Sequence, residues 1–379
     1  MELTNRLWFL FALLFFINCS SGESDGNEDV EHKIVIENAV KADVEFVKSS
    51  KKVIPLETTS DCLLGSIDNI VANDEYIFIV SERNVYQFNM NGNFIRVVCK
   101  QGRGPNELVD IRGIVLKNNI LYLQDFGGKI LMYGMDGKYL KTVTLTKGDF
   151  IGFYPNTEDS FWIHYYLYPN GASPYYLSLV DSGMQLLSTW QPKNERGMHI
   201  CIPERYFVEN SNNELFYYHH TTNMVYKLSE GSARAEFLFN LGDNAPDYNL
   251  IPTLKTDEAI DNEFLNHYRV SEIGFLHNYL LFQFCECKPN FVPAKNWHGI
   301  YDMIRGKTYV VENSLSMEFP SYNYAIVRNG VVRYNYYPIP RLKGARRAEI
   351  ERLCNKKLSD DDNPIILIDT IYDCKITPC

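Results

Sequence analysis

The sequence predicts an all-β protein, a β-propeller, from three observations. First, an aromatic-rich strand pair with a residue-plus-Gly turn appears as Val85–Ile95 around Asn91-Gly92 and again as Ile130–Leu140 around Asp136-Gly137. Second, Gly92, Gly137, Gly183 and Gly231 follow one another at intervals of 45, 46 and 48 residues, the length of a four-stranded blade. Third, 26 Tyr and 22 Phe supply the large, flat, β-favouring side chains that sheet-to-sheet interfaces need. A β-sandwich of meanders is the competing arrangement, and the regular spacing argues against it.

Each element follows from local chemistry. Asn-Gly and Asp-Gly accept positive φ at low cost, so the turns are expected to be of type I′. Inner strands of a blade bury both faces and lose the alternation of a half-exposed strand, as Tyr76–Val80 and Ile120–Leu123 do. The ruler then lengthens to Arg305-Gly306, and the polar stretch of about 243–270 reads as an insertion between strands. Asn329-Gly330 follows too soon and is expected to join different strands of its blade. Between Pro340 and Pro364, Ala345, Ala348, Ile350 and Leu353 recur at helical spacing, which predicts a short surface helix over about 341–358. Arg341, Lys343, Arg346, Arg347, Arg352, Lys356 and Lys357 make that helix basic. Ile365–Ile371 is a final strand, and with Val53–Leu56 it predicts closure by strands from both chain ends.

Composition excludes several classes. A hydrophobic fraction of 45% and a charged fraction of 22% describe a globular protein with ample core. A net charge of −10 leaves no electrostatic footprint for nucleic acid. At the N-terminus, Arg6 precedes an apolar run from Leu7 to Ile17, too short to span a bilayer and of secretory h-region length. It ends at Asn18-Cys19-Ser20-Ser21, which resembles a bacterial lipoprotein signal with Cys19 as the lipidated residue; Phe16 and Asn18 depart from the usual lipobox. The organisation expected is a signal peptide over 1–18, a lipid-anchored tether over 19–43, and one propeller over 44–379.

Ile54-Pro55-Leu56-Glu57-Thr58, Gln101-Gly102-Arg103-Gly104-Pro105-Asn106-Glu107 and Asn363-Pro364-Ile365-Ile366-Leu367 resemble the marker segments of the six-bladed β-propeller lipoproteins of Bacteroidetes-type bacteria, relatives of the NHL-repeat propellers. The likeness spans most of the mature chain and is strongest over 50–145. Family members usually carry Gly where Asn106 stands and an aromatic where Leu108 stands. The resemblance implies a six-bladed ring in the cell envelope, periplasmic or on the outer membrane, with no established activity.

The site residues follow from that loop and from the aromatics. Gly102 and Gly104 permit a sharp path and Pro105 directs its exit, holding Arg103 and Glu107 in defined directions. Arg103 can then grip a carboxylate, sulfate or phosphate at the ring's mouth, or Arg103 and Glu107 can pair with neighbouring blades and lock the ring. Tyr165, Tyr166, Tyr168, Tyr175 and Trp297 are candidates for a binding surface. The eight histidines form no metalloprotease or nucleophile-elbow motif. Cys285-Glu286-Cys287 lacks the second pair that a zinc site needs, and Cys374 and Cys379 either pair or stay as thiols. No cofactor is expected. The functional expectation is a membrane-anchored binding module for a protein, glycan or peptide; the alternative is a propeller lyase or hydrolase with a central divalent metal.

Overall fold

The structure is a computed structural model; it describes residues 30–379 except 49–51, 105, 126–127, 146–149, 166–174, 184, 193–205, 219–222, 248–249, 251–252, 255, 266, 288–292, 313–323 and 328–329. Three strands, β1 (His32–Val35), β2 (Val40–Lys48) and β3 (Lys52–Pro55), precede a series of antiparallel meanders. β4 (Ile67–Ala72), β5 (Tyr76–Ser81), β6 (Asn84–Asn89) and β7 (Phe94–Cys99) form the first four-stranded sheet in chain order. β8 (Ile111–Lys117), β9 (Ile120–Asp125), β10 (Lys129–Gly134) and β11 (Tyr139–Thr144) form the second, and β12 (Phe150–Pro155), β13 (Ser160–Tyr165), β14 (Tyr175–Asp181) and β15 (Leu186–Pro192) the third. In the fourth, β16 (Phe207–Glu209), β17 (Leu215–Tyr218), β18 (Met224–Ser229) and β19 (Ser232–Asn240) are joined by β1, parallel to β19. The remaining strands are β20 (Tyr268–Leu276), β21 (Tyr279–Cys287), β22 (Pro293–Asp302), β23 (Lys307–Val311), β24 (Tyr324–Val327), β25 (Gly330–Tyr337) and β26 (Ile365–Pro378). With β2 and β3 they make one nine-stranded sheet, in which β2 bridges the β20–β23 meander to the group β24-β25-β26-β3.

The first strands meet around a common centre. β4 contacts β8, β8 contacts β12, β12 contacts β16, β16 contacts β20, β20 contacts β25, the partner of the first strand β24, and β24 contacts β4, so the series returns to its start. Each sheet therefore has a neighbour on both faces, and the second strands are largely buried: every residue of β13 and β17 is buried, and Phe78, Ile79, Leu121 and Leu123 are fully so. The apolar clusters lie between sheets. Phe78 and Val80 pack with Leu131 and Tyr133, Tyr122 and Met132 with Phe153 and Ile163, and Trp162 with Tyr217. Phe216 packs with Phe275, and Ile77 and Phe88 with Ile366. Fully burying such side chains is worth about 1.5–3 kcal/mol each, so the stacking supplies the stability. This is the propeller arrangement.

The ruler glycines fall where expected and form a different turn from the one expected. Gly92, Gly137, Gly231 and Gly306 join third and fourth strands with φ of 86°, 73°, 74° and 61°. Their preceding residues are not left-handed, however. Gly92 donates to the Asn89 carbonyl at 2.9 Å, Asn89 donates to the Asn93 carbonyl at 3.0 Å, and the register shifts beside it: a type I turn with a Gly bulge. True two-residue left-handed turns occur at Glu82-Arg83 and Asn118-Asn119. Glycine is required at the outer turns for a second reason, close approach. A Cβ on Gly92 would stand 2.2 Å from the Pro55 carbonyl oxygen on β3, and one on Gly137 would stand 2.5 Å from Arg96 Cδ on β7. Each hairpin leans on the outer strand of the sheet before it.

Closure uses both chain ends. β3 pairs antiparallel with β26, Pro55 opposite Ile365 and Lys52 opposite Ile368. Beside this pairing, both polar side-chain atoms of the buried Asn363 are bonded: Oδ1 accepts from Leu64 N at 2.8 Å, and Nδ2 donates to the Glu57 and Cys62 carbonyls, both at 2.6 Å. Its backbone N–H donates to Thr58 Oγ1 at 2.8 Å. Because β3 supplies the fourth strand here, the Gly330 turn joins first and second strands, which is why the ruler breaks. β26 extends past the expected Ile371 to Pro378, since its second half pairs with β2. Residues 32–43, assigned from sequence to the tether, form β1 and the start of β2 and cover the outer edges of two sheets.

Two helices lie outside the sheets. α1 (Asp257–Phe264) falls inside the 243–270 insertion, and α2 (Gly344–Cys354) is shorter than the expected 341–358. The predicted apolar stripe on α2 is not its buried face: Ile350 is buried, while Ala345, Ala348 and Leu353 are exposed. The helix packs through Ile350 with Ile339, Leu342, Leu358 and Leu367, and Cys354 lies against the same cluster. Arg347 pairs with Asp360 at 2.6 Å and Lys357 with Glu351 at 2.8 Å, so part of its basic character is neutralised.

Asn363→Ala strands one donor and two carbonyls beside the closure; denaturant unfolding should show a loss of about 2–4 kcal/mol, with Asn363→Asp only partly restoring it. His298, buried in β22, has its imidazole pushed down to about 4 by burial. The unfolded chain takes up this proton below about pH 6.5 and the folded chain resists until about pH 4. This contribution is thus complete above pH 6.5 and lost as pH falls through that window. Unfolding free energy should drop by about 2–3 kcal/mol more in the native protein than in His298→Gln between those two pH values.

Candidate functional site

The meanders give every sheet two unlike ends. Connections from first to second and third to fourth strands are short, as at 73–75, 118–119, 156–159 and 277–278. Those from second to third strands, and from sheet to sheet, lie at the other end and include the long segments 56–66, 100–110, 241–267 and 338–364. The Gly-Arg-Gly loop belongs to this long-connection end, between β7 and β8, as do the end of β13 and the start of β14.

The loop is braced from within. Gly102 N donates to the Leu108 carbonyl at 2.9 Å and Gly104 N to Glu107 Oε2 at 2.8 Å. Leu108 is buried, and the Asn106 carbonyl accepts from Tyr133 Oη at 2.9 Å. A Cβ on Gly102 would lie 1.9 Å from Glu107 Oε2, so the glycine makes room for the carboxylate. Glu107 therefore locks its own loop; no ion pair to a neighbouring sheet is seen for it among the described residues. Arg103 is exposed, and among the described residues no carboxylate pairs with it. Of the two roles read from sequence, ring locking is thus not what these two side chains do in this structure.

Close in chain to this loop, at the same end, lies a charged group. Asp110 pairs with Arg112 at 2.8 Å and Arg83 at 3.7 Å, all three partly open to solvent. The Asp68 carboxyl is raised above its ordinary value by burial first and then by Asp110, with Arg83 opposing. Asp68 and Arg112 occupy equivalent places, because the first strands β4, β8, β12 and β20 each break register near this end, between Ile67 and Asn69, Ile111 and Gly113, Phe150 and Gly152, and Val270 and Glu272. A bulge re-aims the extra side chain, here at the long-connection end of the central strands. Sequence reasoning missed these residues; a Gly following the bulged position, as at Gly113 and Gly152, was the available signal.

The other end of the centre is crossed. Lys117 closes β8, Glu209 closes β16, and Nζ of Lys117 sits 3.1 Å from Glu209 Oε1 and 4.3 Å from the ring centroid of Tyr154 on β12. Burial, then the Glu209 charge, push the Tyr154 phenol far above its usual range. Three successive sheets are tied by this group.

The aromatic candidates fare differently. Tyr165 is 3% exposed and packs between the second and third sheets, burial pushing its phenol up to about 12. Trp297 is half-buried and stacks on Phe284 at 5.4 Å and against Tyr268 at 5.1 Å. Tyr166, Tyr168, Pro105 and Cys19 lie outside the described residues. His164 is fully buried, 2.8 Å from Tyr217 Oη and stacked on Tyr206, a contact between the third and fourth sheets. Cys374 and Cys379 are both thiols. Among the described residues, no group of three His, Cys, Asp or Glu side chains is placed to hold a metal, and no helix is long and apolar enough to cross a membrane.

The profile of a family described as a domain of unknown function, DUF4934, matches residues 29–369, and the chain belongs to that family. No curated protein matches the sequence significantly. Among solved structures, the chain is similar to a protein of Bacteroides fragilis thought to be exported, with 16% identity, TM-score 0.66, and coverage of 90% of this chain and 99% of that one. At that identity the likeness concerns the fold. A Bacteroides caccae protein of unknown function (11% identity, TM-score 0.38, 67% and 84% coverage) and the WD40 β-propeller domain of Doa1 (11%, 0.33, 58% and 62%) are more distant.

Gly102→Ala and Glu107→Ala disturb one contact from its two sides. Each should cost about 1 kcal/mol, and their effects in the double variant should fall short of additivity by about 0.5 kcal/mol or more; strict additivity in thermal or urea unfolding would contradict the bracing.

Proposed function

We propose that this chain is a six-bladed propeller of the bacterial cell envelope, lipid-anchored through Cys19, that binds an anionic extracellular ligand at its long-connection end. The count of six takes β24-β25-β26-β3 as the last blade and β20–β23 as the one before it, dividing the nine-stranded sheet at β2. The cyclic contacts of the first strands support that count. Envelope location is supported by the h-region and the Cys19 context.

The observation that carries the binding reading is Arg103: a guanidinium held out by an internally braced loop, with no carboxylate claiming it among the described residues. Arginine presents a planar fork suited to a carboxylate or sulfate, as on an acidic glycan or a peptide terminus. Arg112 and Arg83, shared with Asp110, add positive charge at the same end.

An array of uronate-bearing, sulfated and neutral glycans tests this. The native protein should retain acidic members selectively, and Arg103→Ala should weaken that retention about tenfold or more while its melting temperature stays within about 2 °C. Retention unchanged in Arg103→Ala, or equal for neutral and acidic glycans, would remove the proposal.

A further inference from the structure

We infer that Arg83 is a second ligand-gripping arginine beside Arg103, and that the ligand of the long-connection end is a glycan chain with acidic groups on two of its units rather than a singly charged one. The inference rests on the binding reading of Arg103 proposed above.

The backbone under Arg83 is the first argument. Glu82 and Arg83 form the two-residue turn between β5 and β6, with φ of 47° and 62°. Both values lie in the left-handed region, which Gly and Asn enter at low cost and long side chains do not. Asn118-Asn119 has asparagine at both left-handed positions of its own turn, with φ of 50° and 60°. At 82–83 the chain instead keeps two charged residues where less strained ones fit, and retained strain of this kind points to a side chain with a task.

Ion pairing does not account for that strain. Nε of Arg83 stands 3.7 Å from Asp110 Oδ1, whereas Nε of Arg112 stands 2.8 Å from Asp110 Oδ2. The Arg83 side chain is 58% exposed, and a long pair in contact with water adds little to stability.

Placement is the second argument. Asn84, next to Arg83, accepts through Oδ1 from Gln101 N at 3.1 Å, and Gln101 lies two residues before Arg103. Along this path the Cα atoms of Arg83 and Arg103 are no more than about 20 Å apart. On the other side Glu82 lies against Gly65, where a Cβ would stand 2.1 Å from Glu82 Oε1. The turn is thus seated between the 56–66 and 100–110 connections, and both arginines are exposed at one end of the molecule. Two guanidinium forks so placed match an acidic chain, whereas a single carboxylate engages one of them. When one chain engages both, the second contact becomes intramolecular and retention rises without either site being deeper.

The test immobilises two probes, a tetrasaccharide with one terminal uronate and the same tetrasaccharide with a uronate at both ends. Native protein, Arg83→Gly, Arg103→Ala and Lys100→Gln are compared, the last removing one exposed positive charge from the same connection. The native protein should retain the two-uronate probe at least about fivefold better than the one-uronate probe. In Arg83→Gly that preference should shrink to within about twofold, with one-uronate retention nearly unchanged, and the melting temperature should rise by about 1–2 °C as the turn is relieved. Lys100→Gln should lower both probes alike and keep the preference. The inference is overturned if Arg83→Gly keeps the native preference, if it merely weakens both probes as Lys100→Gln does, or if its melting temperature falls. A native protein that holds the one-uronate probe through Arg103 and shows no preference for the second uronate sinks this inference and leaves the earlier reading standing. Retention of neither probe removes both.

Discussion

The pairing of β3 with β26, sealed by the Asn363 amide, is the constraint on which the rest of this fold depends. A sheet buried on both faces needs a neighbour on each side, and an open series would leave two sheets with a bare apolar face. Joining residue 55 to residue 365 removes both ends at once. The close approach of Gly92 to Pro55 across this seam repeats that of Gly137 to Arg96 between the first and second sheets, so the junction is packed like an ordinary one. The loop-closure entropy of bringing such distant segments together is offset by ladder hydrogen bonds, four contacts to Asn363, and the cluster of Ile54, Leu56, Ile366 and Ile368.

The N-terminal segment extends this logic outward. β1 and β2 run along the outer edges of β19 and β23, and β2 continues onto β26, which turns exposed ladder edges into paired ones. The two ends then differ in character. One carries tight turns and the Lys117–Glu209 pair across the centre; the other carries the long connections, the re-aimed Asp68 and Arg112, and Arg103.

In the Gly-Arg-Gly loop, one motif holds two separable jobs. Glu107 and Gly102 belong to the loop's internal geometry, and Arg103 is what that geometry leaves facing solvent. Ring locking through ion pairs to neighbouring sheets was the structural role read from sequence, but the Glu107 carboxylate accepts the Gly104 backbone N–H, which is nearer and already oriented.

Much of the fold was legible because it is periodic. Glycine spacing, strands apolar on both faces and the Ile54 and Ile365 segments all report local or repeated requirements, and the structure places them accordingly. The turn type was misread because Asn-Gly satisfies both the I′ turn and the bulged type I turn, and cross-sheet packing selects between them. The α2 stripe was misread because its inward side is set by Ile350 meeting Ile339, Leu342, Leu358 and Leu367 from neighbouring segments, partners that periodicity within the helix does not reveal. Tyr165 and Trp297 could not be sorted from sequence, since an aromatic at an interface and one at a surface have the same local pattern. By itself, then, the sequence determined the repeat, the β architecture and the two segments that close it, because each strand must bury its own faces. Only the tertiary structure decided which side chains share an end, which carboxylate meets which donor, and which arginine is left without a carboxylate among the described residues, because those outcomes depend on groups brought together from distant parts of the chain.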